Sequence, residues 1–242
     1  MVRVVTLAFA LAAAAALNAC SPQAVSVVAP PDHSHPDEFR ATSDRRFDDA
    51  NHWAKIFDSP ERAAWQRPEE LLTAIKLQPG MRVADLGAGT GFFLPYLSRT
   101  VGEEGRVFAV EVEPALVTHM RERVARAGLD NVEVLLSAAD SLDLPPASID
   151  MLLLIDVYHH IDHRLAYLKD ARASLASQGT IVVVDWKPGD LPVGPRDPHH
   201  KLPPEQVIRE LDAAGFRLVP TSDVLPYQYV LVFTERDPRL SP

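Results

Sequence analysis

From Gln78 onward, short apolar runs alternate with amphipathic stretches. Arg82 to Leu86, Arg106 to Val112, Val132 to Leu136, Met151 to Ile155 and Thr180 to Asp185 have strand length. Most are apolar throughout, as strands covered on both faces should be. Between them Leu116, Met120 and Val124 mark one helix face and Tyr167, Ala171 and Leu175 another, with Gly128 standing where a C-cap glycine would end the first helix. Strand alternating with helix predicts an α/β fold with a parallel sheet. The ending changes character. Pro204 to Ala214 reads as a helix stopped by Gly215, and Phe216 to Pro220 and Tyr227 to Phe233 read as two strands whose short connection makes them antiparallel. Ahead of the first strand, Phe47, Trp53, Ile56, Phe57, Trp65, Leu71 and Leu72 spread through two charged, helix-compatible segments. There Asp58-Ser59-Pro60-Glu61 predicts an N-cap followed by proline at the first helical position.

The first 45 residues follow neither period. Residues 1–20 carry a single charge, Arg3, then an apolar to weakly polar run from Val4 to Leu17 that ends Leu17-Asn18-Ala19-Cys20. A basic start, an apolar stretch of this length and a small residue before the end are the features of a secretory signal. The Leu17 to Cys20 run resembles the lipobox of bacterial lipoproteins, which implies lipidation of Cys20. Asn18 departs from the small residue usual in that motif. Plain secretion, or a misassigned start that leaves the chain cytoplasmic, are the alternatives. Residues 21–45, with Pro22, Pro30, Pro31 and Pro36 among Ser, His and Asp, read as an extended tether, which leaves 46–242 as the folded domain and 46–78 as its N-terminal helices.

Composition narrows the function. The chain has 242 residues, 24 basic against 33 acidic side chains and a net charge of -9. An acidic balance argues against tracking nucleic-acid phosphates, so a small-molecule partner is expected. One cysteine excludes a disulfide framework and a cysteine zinc site, and no metal site is expected.

The candidate chemistry begins at Val83-Ala84-Asp85-Leu86-Gly87-Ala88-Gly89-Thr90-Gly91-Phe92-Phe93, a strand running through glycines into a helix. Glycine allows a sharp turn and close ligand approach, although a tight turn alone would use the same residues. In the dinucleotide fingerprint the third glycine follows the second by three positions; here Gly91 follows Gly89 by two and Phe92 fills the expected place. No lysine follows for a phosphate loop. Asp85 with Gly87, Gly89 and Gly91 resembles the first motif of class I S-adenosylmethionine-dependent methyltransferases. That resemblance implies a Rossmann-like sandwich with a mostly parallel seven-stranded sheet, order 3-2-1-4-5-7-6 with an antiparallel last strand, and S-adenosylmethionine as cofactor. It implies that Asp85 serves the methionine-end ammonium and that the glycines pass under the cofactor. Glu111, at the end of the next strand, is placed to accept the ribose hydroxyls, and Asp140 is the candidate for the adenine amino group.

Strand four exits into Asp156-Val157-Tyr158-His159-His160-Ile161-Asp162-His163. In parallel sheets the site lies beyond the carboxyl ends of the strands. This segment resembles the one that faces the methyl group in small-molecule methyltransferases. Asp156 is the candidate for the methionine end or the acceptor, Tyr158 for a ring against the sulfonium, and His159 or His160 for accepting a proton. The spacing of His159 and His163 also suits two metal ligands on one helix, but no glutamate follows His159 at the zinc-protease position. Asp185-Trp186-Lys187 and His199-His200-Lys201 are expected on the acceptor side, with Trp53, Phe57, Arg62 and Trp65 as a water-excluding cover. The resulting expectation is a methyltransferase acting on a small molecule, lipid-anchored or periplasmic in the cell envelope. The alternative is an envelope ligand-binding protein that keeps the fold without catalysis.

Overall fold

A computed structural model describes residues 40–41 and 46–236. The described residues all belong to one compact unit, Pro36–Pro242. Cys20, the expected leader and all of the tether but Arg40 and Ala41 lie outside the described residues; those two meet Asp162, Arg40 at 3.6 Å and the Ala41 N–H at 3.2 Å.

Seven strands form one sheet: β1 (Arg82–Leu86), β2 (Arg106–Glu111), β3 (Val132–Leu136), β4 (Ile149–Ile155), β5 (Leu175–Trp186), β6 (Phe216–Val219) and β7 (Gln228–Glu235). Their order is β3-β2-β1-β4-β5-β7-β6. The five strands from β3 to β5 pair in parallel, and β7 runs antiparallel to both β5 and β6. The fold class and strand order match the sequence expectation.

Alternating side chains feed two cores, one on each face of the sheet. Ala84, Leu152, Leu154, Ile181, Val183 and Phe233 point to one, which is closed by α6 (Arg164–Ser174) and α7 (Pro204–Ala213) through Leu168, Ala171, Val207 and Leu211. Val83, Met151, Leu153, Val182, Val184 and Val232 point to the other. That face is closed by α3 (Pro68–Ala74), α4 (Leu94–Val101) and α5 (Pro114–Ala127), through Leu71, Leu72, Leu94, Leu97 and Met120. Burying each such side chain is worth about 1.5–3 kcal/mol, so both faces hold the strands flat against the helices and fix where their ends emerge. Gly128 caps α5 in the left-handed region, as its position implied.

The segment before β1 departs from expectation. It forms three helices, α1 (Ala50–Phe57), α2 (Arg62–Gln66) and α3, and Asp58 does not cap a helix that starts at Pro60. Instead Asp58 closes the C-terminus of α1 and spends its carboxylate on the Thr90 hydroxyl at 3.0 Å and Arg123 at 2.8 Å. That ion pair ties the N-terminal helices to the glycine loop and α5, which outweighs a local cap.

Candidate functional site

Asp85, Glu111, Asp156, His159 and His160 gather at the carboxyl edge of the sheet, while Tyr158 and Asp140 do not. Asp85 lies in β1 and is 3% exposed, with no hydrogen-bond donor reaching its carboxylate among the described residues. Burial, opposed by the Arg62 charge and reinforced by Glu111, pushes its carboxyl up to about 7. The three loop glycines all have positive φ, but their surroundings differ. A Cβ on Gly87 would overlap Val157, and one on Gly91 would strike Leu94; these two serve packing. A Cβ on Gly89 would meet nothing nearer than Phe57 at 3.8 Å, so that residue borders open space.

Glu111 ends β2 and is 5% exposed. Its Oε2 accepts the Gly89 N–H at 2.9 Å, and its Oε1 accepts the N–H groups of Val112 and Glu113 at 2.8 and 3.1 Å. Burial raises its pKa and these three donors oppose the shift. A carboxylate has about four acceptor positions. Three are taken, so Oε2 keeps one open position beside the Gly89 N–H, a contact between loop and strand that sequence spacing did not reveal. Asp140 lies exposed in the turn after β3 with no hydrogen bond among the described residues, while Asp143 accepts the Ala138 N–H.

Asp156 follows β4 with φ +59, an uncommon conformation for a side chain-bearing residue, of a kind that concentrates at functional sites. Burial pushes its carboxyl up to about 7, Arg62 opposing and Asp185 adding to the shift. Its carboxylate lies 3.8 Å from Arg62 and 3.2 Å from the Gln66 amide, and also accepts from Gln228. Gln66 in turn donates to Gln228 at 3.1 Å. Neither glutamine stood out in the sequence, because what makes them site residues is pairing across 162 positions. Arg62 stacks 4.4 Å from the Phe92 ring centre and donates to the Phe57 carbonyl at 2.8 Å, so the expected cover has a charged centre. Trp65 packs against Trp186 at 5.4 Å, and Trp53 stacks on Phe57 at 5.2 Å.

Tyr158 requires a correction. Its ring is fully buried in the core under α6 and α7, and its hydroxyl donates to Glu210 at 2.7 Å beside Arg164. Burial and the neighbouring Glu210 charge raise its pKa well above the ordinary value. It anchors the segment from behind: in a 3-10 turn of three residues per turn, Tyr158 points to the core while the two residues after it point away from it. His159 and His160 both face the same cluster: His159 is 1% exposed and His160 half-buried. His159 Nδ1 lies 2.9 Å from Asp185 at the end of β5, and its Nε2 lies 3.1 Å from His200 Nδ1. His163, the partner suggested by spacing, caps α6 and pairs with Asp162. Lys187 is engaged with Asp223 and the Leu225 carbonyl.

Four carboxylates, Asp85, Glu111, Asp156 and Asp185, are thus wholly or largely buried at neighbouring strand exits, with the Arg62 guanidinium as the cation acting on Asp85 and Asp156. Such an edge favours a ligand that brings positive charge and hydrogen-bond donors.

Comparison with known proteins agrees with this geometry. A family model described as a methyltransferase domain matches residues 77–212. The chain is 26% identical over 116 residues to the ubiquinone/menaquinone biosynthesis C-methyltransferase of Coxiella burnetii, covering 48% of this chain and 46% of that protein. It is 28% identical over 109 residues to the arsenite methyltransferase of Halobacterium salinarum, 45% of this chain and 28% of that one. The chain thus matches less than half the length of either of these curated relatives. Among solved structures, a SAM-dependent methyltransferase from Aquifex aeolicus is 31% identical with a TM-score of 0.74, over 79% of this chain and all of that one.

Proposed function

The chain belongs to the methyltransferase-domain family, and on that premise we propose that it transfers the methyl group of its cofactor, S-adenosylmethionine, to a small-molecule acceptor. The observation that carries this reading is the pair of buried, raised-pKa carboxylates, Asp85 and Asp156, beside the open face of Gly89. Buried carboxyls of this kind are stabilised in their ionised form by a cationic ligand. When bound, the cofactor supplies a methyl group on a positively charged sulfur, leaving the protein to align the reactants, exclude water and accept a proton.

Asp85 and Asp156 hold the charged methionine end, Glu111 faces the ribose hydroxyls with its open Oε2 position, Asp140 meets the adenine edge, and Gly87 and Gly91 keep the loop in shape. On the acceptor side, Asp185 accepts the Nδ1 proton of His159, which turns the Nε2 lone pair toward His200 and His160. His159 and His160 are therefore the groups that act on the acceptor's proton. A small acceptor is supported by the aromatic cover of Trp53, Phe57, Trp65 and Trp186 and by the acidic balance, which disfavours nucleic acid.

The test supplies methyl-labelled S-adenosylmethionine and a small-molecule extract to the full chain. Label should enter the low-mass fraction, and His159→Ala should lower the rate by about 10²–10⁴-fold while cofactor binding persists. Cofactor binding with no transfer to any fraction would favour the alternative, a ligand-binding protein that keeps the fold without catalysis.

We also propose that Cys20 is lipidated and holds the protein in the cell envelope, which the apolar run Val4 to Leu17 supports. Acyl labelling should mark the native chain and not Cys20→Ser. A soluble cytosolic chain that retains Met1 would refute it.

A further inference from the structure

Three histidines from two distant segments converge at the acceptor end of the sheet. One ring nitrogen from each of His159, His160 and His200 lies within 4.8 Å of the other two. His159 and His160 leave β4 in a single 3-10 turn, and His200 ends the 3-10 turn Pro198–His200 ahead of α7. His159 is 1% and His200 5% exposed, so the cluster is built into the protein.

The donor set is specific. Asp185 is fully buried, accepts the Trp186 N–H at 2.8 Å, and sets both oxygens on His159 Nδ1 at 3.1 and 2.9 Å. A carboxylate behind one imidazole nitrogen fixes the proton there and leaves the other nitrogen as a lone pair, the support that metal-binding histidines use. The His159 Nε2 to His200 Nδ1 separation is 3.1 Å. Two nitrogens bound about 2.0–2.1 Å from one ion, at angles between square and tetrahedral, lie roughly 2.9–3.4 Å apart. The pair already has the spacing of one edge of a coordination polyhedron, and His160, with a ring nitrogen within 4.8 Å of both, supplies the third corner by moving toward them.

From this geometry we propose that His159, His160 and His200 form a binding site for a divalent transition-metal ion of the zinc class, with Asp185 supporting it from behind. Three neutral imidazoles suit zinc and its borderline neighbours in preference to calcium or magnesium, which demand oxygen ligands. Three protein ligands leave a coordination position for an oxygen, nitrogen or sulfur atom of water or of a bound molecule, the arrangement of reactive rather than structural zinc sites. The site shares His159 and His160 with the methyl-transfer reading but does not depend on it: a chain that bound no S-adenosylmethionine would still bind the ion. If both hold, the histidines act on the acceptor through the ion.

The experiment titrates cobalt(II) into the full chain, produced without a histidine tag and stripped with chelator. The expected result is saturation at about one equivalent, with the visible absorption of a low-coordinate cobalt centre, hyperfine-shifted imidazole N–H resonances from three ligands, and displacement by zinc. His160→Ala and His200→Ala should each weaken binding at least tenfold, and Asp185→Asn should weaken it about 10–100-fold while keeping the stoichiometry. His199→Ala, at an exposed histidine paired with Asp197, and the double variant His33→Ala/His35→Ala should bind as the native chain does. Absence of saturable binding by the native chain overturns the proposal, as does native affinity in His160→Ala and His200→Ala. The native chain's resonances count its histidine ligands directly, so that count holds whether or not the variants fold.

Discussion

At the scale of single residues, Asp85 concentrates the logic of the site. Its carboxyl, ordinarily near 3.8, sits at about 7 in the folded chain. Between those values the folded protein binds a proton that the unfolded chain does not, so stability declines as pH rises from about 4 to about 7 and levels off above. The effect has a ceiling of about 4 kcal/mol. Urea melts across this range should show the decline in the native chain, and Asp85→Asn should remove the Asp85 share while the share of Asp156, raised as far, remains. A cationic ligand selects the ionised carboxylate, so cofactor affinity should rise as pH climbs toward 7, and Asp85→Asn should flatten that rise. The glycines separate by the same kind of reasoning. Gly87→Ala drives a methyl into Val157 from a left-handed residue and should destabilise the fold by more than the roughly 1–3 kcal/mol of backbone strain alone. Gly89→Ala incurs only that strain and should lose cofactor affinity instead. Equal melting curves for the two variants would contradict this division.

At the scale of elements, the turn after β4 is held from both sides. One side is the buried set of Tyr158, Arg164 and Glu210, which ties the turn to α6 and α7 with Arg164 to Glu210 contacts of 2.6 and 2.9 Å. Tyr158→Phe keeps that ion pair and removes one charge-assisted hydrogen bond, so it should cost about 1–2 kcal/mol in denaturation while leaving the methyl-transfer rate unchanged. A large rate loss at unchanged stability would restore Tyr158 to the site. The other side is α2, whose Arg62 faces Asp156 and Asp85. Arg62→Ala leaves buried carboxylates without that cation and should destabilise the chain by about 3–5 kcal/mol, read from urea midpoints. The strands, the α5 cap and the glycine loop were legible in the sequence because period, length and glycine spacing are local signals. The roles of Tyr158, Gln66, Gln228 and Asp58 were not. Each depends on a partner between 32 and 162 positions away, which no local pattern encodes. The three-histidine cluster was half legible: His159 and His160 were adjacent, but His200 joins them only when β4 and β5 lie side by side.

For the molecule as a whole, the sheet sorts its chemistry by edge. Two apolar cores fix the strands, and the carboxyl ends of β1, β2, β4 and β5 deliver Asp85, Glu111, Asp156 and Asp185 to one rim. The α1–α2 cover closes on that rim through Asp58 with Arg123 and through Trp65 with Trp186. Arg62 offsets only part of the cost of so acidic an edge, and S-adenosylmethionine brings the further positive charge. Calorimetry on the full chain tests it most directly. The native protein should bind S-adenosylmethionine at one site, with Asp85→Asn and Glu111→Ala each weakening binding tenfold or more at unchanged secondary structure. A folded native chain that releases no heat and shows no thermal stabilisation with S-adenosylmethionine would rule out S-adenosylmethionine as the cation of this rim.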